Sequence, residues 1–467
     1  MTLVLRGGVV VDPRGARSAD VLVEGDRIRG VGELSDVRDA EVLDLGGDLV
    51  IPGLVNAHHH SPDGLATGTL PIAPLELWSL ASVSARSLSP DQLRLAALFS
   101  AAQLLRGGVT AVVDMVRPWP TPTLEAFDAV AAAYADSGMR AAVAIVVADL
   151  PVERTLPLGR WTGAAADAGV VASQLDVVRE VVRRWHGRDG RISVHVAPSG
   201  PQRCSDELFA GAIDLARATR TLLHTHALET LAQAEQARRR WGRPLVAHLE
   251  RIGALGPSTV LAHVVWPEAD DPGRLAASGA VVVHNPASNA ALGSGLAPVP
   301  AMREAGVTLA LGTDAASCND GLSMFEAMKL ATTVHRPGEP DWHRWPTPAD
   351  ALRWATEGGA AALGLGTEVG RIEAGRLADI VVLDARAAAF VPPNDLRHQL
   401  VMRAAPDAVR HVFVGGRQVV RDGELLTIEW PSLVDEIVRA APRAGIAPPD
   451  AALVDAVAAL LRATRSA

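Results

Sequence analysis

The chain has 467 residues, 53 acidic against 44 basic side chains, a formal net charge of -9 and 48% hydrophobic residues. That length and apolar content call for a sizeable core and exclude a lone small module or a disordered chain. The acidic balance excludes a dedicated nucleic-acid binder, and two cysteines, Cys204 and Cys318, exclude a disulfide framework or a four-cysteine zinc module.

No apolar run is long enough to cross a bilayer, and Met1–Arg6 shows no basic segment leading into an apolar stretch. The expectation is a cytoplasmic protein with neither nucleic-acid nor membrane partners. Lys329 is the single lysine, so any mechanism that needs a lysine elsewhere is excluded.

The first fifty residues read as short strands with tight turns: Val9–Val11, Val21–Val23 with Glu24-Gly25-Asp26 as a hairpin turn, Arg27-Ile28, Val42-Leu43 and Leu49–Ile51. The pattern then changes to apolar strands alternating with longer helical stretches. The strands are Val109–Val113, Ala141–Val147, Ile192–Val196, Leu222–His224, Val260–Ala262, Val281–Val283 and Leu309–Leu311. Such alternation predicts parallel βα units, and about eight strands over this span fit a (β/α)8 barrel. A doubly wound open sheet is the alternative, disfavoured because no G-x-G-x-x-G follows the first strand. Strand texture returns at Ala378–Leu383, His411–Val414 and Arg417–Val420. The expected division is a small β-sandwich domain built from residues 1–54 and 366–425, a barrel over 55–365, and terminal helices over 426–467.

What ends each barrel strand is informative, because the C-terminal strand ends of a barrel share one face. The first strand runs into His58-His59-His60, and two-residue alternation puts His58 and His60 on one side. A second H-x-H, His224-Thr225-His226, ends a later strand with Glu229 three residues on. Further strands end in His263, in His284 and in Asp314. Several imidazoles and one carboxylate suit zinc or Fe(II) and leave a position for water.

Together these stretches resemble the amidohydrolase superfamily, in the branch that holds cytosine, guanine and S-adenosylhomocysteine deaminases and triazine hydrolases. The matching segments are P-G-L-V-N-A-H-H-H (52–60), A-P-S-G-P-Q-R-C-S (197–205), H-T-H-A-L-E-T (224–230), V-L-A-H (260–263), H-N-P-A-S-N (284–289), L-G-T-D-A-A-S (311–317) and G-R-L-A-D-I-V-V-L-D (375–384). The resemblance implies a (β/α)8 barrel with a β-sandwich from both termini. It implies His58, His60, His226 and Asp314 as ligands of one divalent metal per chain, zinc first and Fe(II) second. It further implies Glu229 as proton carrier and His263 as the group that orients the water or the substrate. Asp314 takes the water proton, and His284 and Asn289 fall where the family shapes its pocket. His59 and His224 are expected on the far side of their strand ends, either packing there or standing behind the ligands. Lys329 lies beyond Asp314 and cannot bridge two metals, so a single metal is expected.

The chemistry implied is hydrolytic deamination of an aminated heterocycle (purine, pyrimidine, pterin or triazine). The alternative is hydrolysis of a cyclic amide or of a chloro or alkylamino substituent. A non-catalytic barrel would lack Glu229 or Asp314, and both are present. For the pocket, Trp78 at the end of the Ser61–Trp78 insertion is either a wall or a packing residue, and Gln202, beside Ser199 and Arg203, could bond a heterocycle edge. Cys204 reads as structural. The Trp342–Trp345 segment either covers the site or sits on the surface. The expected partner is a small heterocycle, and the expected assembly a homo-oligomer, dimer or tetramer.

Overall fold

The computed structural model describes residues 2–34, 37, 39–85, 88–118, 121–152, 156–158, 167–441 and 451–465. The chain opens with β1 (Thr2–Asp12), β2 (Gly15–Glu24), β3 (Arg27–Gly32), β4 (Glu41–Asp44) and β5 (Leu49–Pro52). Glu24 pairs with Arg27 across the expected hairpin turn. After Gly53 the chain enters β6 (Leu54–His60), followed by β7 (Val109–Val116), β8 (Arg140–Val147), β9 (Ile192–Pro198), β10 (Leu223–Ala227), β11 (Thr259–His263), β12 (Val281–His284) and β13 (Thr308–Leu311). These strands lie side by side in chain order. A short β14 (Asp314–Ala315) returns to β6, with Asp314 opposite His59 and Ala315 opposite His60. Only Gly312 and Thr313 separate β13 from β14, so the two are halves of one strand and the sheet closes as a (β/α)8 barrel.

The chain then leaves the barrel for β15 (Ile380–Leu383), β16 (Val409–Val414), β17 (Arg417–Arg421) and β18 (Glu424–Leu425). β15 runs antiparallel to β5, Val382 opposite Val50, which joins both ends of the chain in one sheet ordered β18-β17-β16-β15-β5-β1-β2-β3, with β4 on β1. The sheet folds back on itself: Ile28 N donates to Arg376 O at 2.9 Å, and Arg27 bridges Leu377. Inside it Leu5, Val10, Val21, Val23 and Ile28 pack against Ile380, Val382 and Phe413. Neither end could bury this apolar face alone.

The terminal sheet is tied to the barrel by a buried ion pair. Arg140, at the start of β8, donates Nε and Nη2 to the two carboxylate oxygens of Asp379, each at 3.0 Å. Asp379 also accepts from Gly415 N at 2.8 Å. Among the described residues no helix is long and apolar enough to cross a membrane.

Candidate metal centre and active site

Two-residue alternation sorts the barrel strands into an outer and an inner set. Val112, Val116, Ile145 and Val196 face the surrounding helices, whereas Ala111, Val113, Met115, Ala142, Ala144 and Val146 face inward. On β6, β9 and β10 inward positions are imidazoles. His195, His224 and His58 are all buried within the barrel. The rings of His195 and His224 stack with centroids 6.3 Å apart, and those of His224 and His58 lie 5.3 Å apart.

Above that layer three imidazoles and one carboxylate, from the ends of β6, β10 and β14, converge. His226 Nε2 lies 3.3 Å from His60 Nε2, and Asp314 Oδ1 lies 3.4 Å from His60 Nε2 and 3.5 Å from His58 Nε2. Ligands bound at roughly 2.0–2.1 Å around a tetrahedral ion stand about 3.3–3.4 Å apart. The four side chains therefore fit one zinc-sized ion. His58 Nε2, completely buried, has no hydrogen-bond partner in the protein, and an ion held there would supply what it lacks. Burial holds His58 well below the ordinary imidazole range and, with His60 and His263 beside it, holds His226 at about 3. Neutral imidazole is the form that binds a metal.

The rings are aimed from behind. His60 Nδ1 donates to Met115 O at 2.7 Å, His226 Nδ1 to Ser199 O, and His263 Nδ1 to Asn289 Oδ1 at 2.9 Å. Such partners fix each tautomer and leave Nε2 facing the centre. Asn56 staples the Asp314 loop to β6, donating to Thr313 Oγ1 at 2.7 Å and accepting from Thr313 N at 3.1 Å. Gly312 is required there, since a Cβ would stand 2.4 Å from Asn285 Oδ1 and 2.8 Å from His58 Cβ. Leu228, His263, Val264 and Asp314 all hold positive φ, between 47° and 78°. Backbone strain of this kind, costly for a β-branched valine, gathers at the ends of the strands that carry the site.

The two acidic groups are pushed apart in acidity. Burial raises Glu229, nearby His263 lowers it, and the charges of Asp314 and Glu76 raise it again, leaving it at about 7. Burial alone would also raise Asp314, but the imidazoles of His263 and His60 hold it at about 2. His263 Nε2 sits between them, 3.9 Å from Glu229 Oε2 and 3.8 Å from Asp314 Oδ2, with no hydrogen-bond partner of its own. Carboxyl groups of such different acidity divide proton-donating from proton-accepting work.

These groups open into one cavity. Trp78 and Gln202 line it, as do Ser199 and Arg203. Trp78 packs on Leu292 and Ala315 at the mouth, so wall and packing roles coincide in it. Glu76, which sequence reading missed, also lines the cavity; it is 5% exposed and its Oε1 has no hydrogen-bond partner. Its signal was spacing: on α1 (Leu75–Ala85) it lies one residue from Leu75 and two from Trp78, both cavity residues. Arg117, Val146 and Val152 also line the cavity and were likewise missed.

His284 and Asn289 do not line the cavity. Asn289 stands one layer back, behind His263, and His284 is buried with its ring 5.3 Å from that of His335. His59 does turn away from the centre and binds Asp314 O through Nδ1 at 3.1 Å. His224 does not. It shares a parity with His226, so alternation puts it inside the barrel, one layer deeper, and its Nε2 lies 3.2 Å from His58 Nδ1. The Trp342–Trp345 segment lies away from the cavity: Trp342 is 64% exposed, and Arg303 binds the Arg344 and Trp345 carbonyls. Cys204 is buried, its thiol pushed up to about 12, mainly by that burial.

Comparison with known proteins agrees with this geometry. Residues 49–419 match the Amidohydrolase family. The 5-methylthioadenosine/S-adenosylhomocysteine deaminase of Syntrophobacter fumaroxidans is 36% identical over 93% of this chain and 96% of its own. The 5'-deoxyadenosine deaminase of Methanothermobacter thermautotrophicus is 33% identical over 92% and 95%. Among solved structures, a zinc-bound adenosine deaminase from Xanthomonas campestris superposes with a TM-score of 0.83 at 28% identity, covering 94% of this chain and 97% of that one. An atrazine chlorohydrolase from Arthrobacter aurescens TC1, complexed with zinc, gives 0.86 at 27% identity, covering 94% and 100%. With this match and a barrel whose strand ends carry the family's residues, the chain belongs to the amidohydrolase family.

Proposed function

We propose that the protein is a mononuclear zinc-dependent aminohydrolase that converts the exocyclic amino group of an adenine-type nucleoside to a carbonyl, releasing ammonia. The observation that carries this reading is the pairing of Glu229, pushed up to about 7, with Asp314, held at about 2, on either side of His263. His58, His60, His226 and Asp314 would hold one divalent ion, zinc before Fe(II). That ion supplies Lewis acidity, which makes water a nucleophile near neutral pH.

The proton steps belong to the side chains. Asp314 takes one proton from the attacking water, and His263 Nε2 orients that water towards the amino-bearing ring carbon. Glu229 gives its proton to the adjacent ring nitrogen, which keeps it. Asp314 passes its proton to the amino group, the C–N bond breaks and ammonia leaves. Glu229 recovers a proton from the new hydroxyl as the carbonyl forms, so both protons come from one water. The names of the curated relatives favour a nucleoside. Glu76 supports it, because a buried carboxylate oxygen without a partner is an acceptor for sugar hydroxyls. The likeness to atrazine chlorohydrolase favours a second reading, displacement of a chloro or alkylamino group by the same groups.

Ammonia release measured over adenosine, 5'-deoxyadenosine, 5'-methylthioadenosine, S-adenosylhomocysteine and chloro- and alkylamino-triazines tests this, together with elemental analysis. The expected result is about one zinc per chain, ammonia from adenine nucleosides, and none after chelation. Chloride or alkylamine release without ammonia would establish the second reading. Two tightly bound metals, both needed for turnover, would overturn the single-metal site.

A further inference from the structure

We propose that His224 is a positioning residue for the metal centre: its Nε2 accepts the Nδ1–H of His58 and so holds His58 Nε2 on the point where the ligand atoms converge. The two nitrogens are 3.2 Å apart, and the rings lie at 18° to one another.

The contrast with the neighbouring imidazoles carries the argument. Behind His60, His226 and His263 stand two backbone carbonyls and an amide oxygen. Those groups only accept, so they fix the tautomer of the ring in front of them. Behind His58 stands another imidazole, which accepts at Nε2 only if its own proton sits on Nδ1. His224 Nδ1 is buried and has no hydrogen-bond partner. Below it the stacked ring of His195 offers none either, since His195 Nδ1 is equally without one.

For fold stability this is a poor arrangement. Other inward positions hold Ala, Val and Met, and an aliphatic side chain at 224 would leave one buried N–H bare, that of His58 in place of that on His224 Nδ1, so the imidazole gains the fold no net hydrogen bond. An orphaned N–H at the centre of a barrel makes sense when the opposite nitrogen of the ring is needed. The need is local, because no carbonyl or carboxylate binds His58 Nδ1 among the described residues.

The inference rests on the metal reading above, and the experiment separates the two. Zinc affinity of the apoprotein is measured by chelator competition for the parent, His224→Leu, His224→Met and His224→Gln, alongside the thermal midpoint of each apoprotein. A parent that binds no metal would sink the metal reading itself. With the parent binding, the apolar variants are expected to lose roughly 10–100-fold in zinc affinity while their apoproteins melt no lower. His224→Gln, whose amide oxygen also accepts, should regain most of that affinity. The cobalt-loaded apolar variants should show a shifted d–d absorption band. Parent-like zinc affinity in a folded apolar variant overturns the proposal. So does an equal loss in all three variants accompanied by lower apoprotein midpoints, which would mark a packing role. Where the apolar variants do not fold, 15N-histidine spectra of the zinc-loaded parent decide. His58 must carry its proton on Nδ1 and His224 must have a bare Nε2, and the opposite tautomers overturn the proposal.

Discussion

Asn289 accepts a hydrogen bond from His263 Nδ1 at 2.9 Å, and the ring so held turns Nε2 towards Asp314 Oδ2, 3.8 Å away. On the proposed mechanism Asn289 would act on the reaction through His263 and not as a pocket wall. Asn289→Leu should lower kcat by roughly 10–100-fold, the usual cost of removing a partner that orients a site histidine. Zinc content and KM should change little, because neither the ligand set nor the cavity surface is touched. A large rise in KM with kcat preserved would place Asn289 at the substrate instead.

The division of labour between metal binding and proton transfer is open to a paired test. His226→Ala removes one of the converging nitrogens and should lose metal and activity together. Glu229→Gln keeps every ligand and should retain zinc, yet lose about 10²- to 10⁴-fold in kcat. Near-normal turnover in Glu229→Gln would remove it from the proton steps.

Much of this site was legible because its chemistry is written into strand ends. An H-x-H pair declares a shared face by alternation alone, and a Gly-Thr-Asp after an apolar run marks where β13 bends into β14. The same rule, applied to His224, gives the inward position that the structure shows; reading it outward neglected its parity with His226. Three features were not legible. Glu76 reaches the cavity only because α1 folds over the barrel mouth, which depends on Trp78 packing against Leu292 and Ala315, some two hundred residues away. Asn289 sits in a short helix whose direction behind His263 depends on the turn after β12. The folding back of the terminal sheet arises from backbone pairing of β3 with residues 375–378, a pairing without a side-chain pattern.

On the proposed function Glu76 would couple substrate binding to acidity. Its charge is one of the influences that raise Glu229, after burial and alongside Asp314. The proton carrier works in its protonated form, so kcat/KM should fall as pH rises through the region where Glu229 ionises. Glu76→Gln removes a negative charge, which eases ionisation of Glu229 and should move that alkaline limb to lower pH. The same change should raise KM for a nucleoside by about tenfold or more, as expected for losing a hydrogen bond to a charged group. A substrate without the sugar should escape the KM effect but still show the displaced limb. An unmoved pH profile would mean that Glu76 and Glu229 are not electrostatically linked.

The termini make the last case. β5 pairs with β15 through Val50 and Val382, and the cluster around Ile380, Val382 and Phe413 draws most of its partners from Leu3, Leu5, Val10, Val21, Val23 and Ile28. Deleting residues 1–48 would strip those partners, leave β5 with a bare edge where β1 paired and uncover the apolar face of β5 and β15, a condition that favours aggregation. It would also unsettle β6, which follows β5 after a single glycine and carries His58 and His60. The truncated chain should therefore be insoluble, or soluble only without zinc. An N-terminal unit independent of the barrel predicts the reverse. Expression of the truncation with measurement of solubility and zinc content decides, and a soluble, zinc-loaded, active product would refute the shared sheet as a folding requirement.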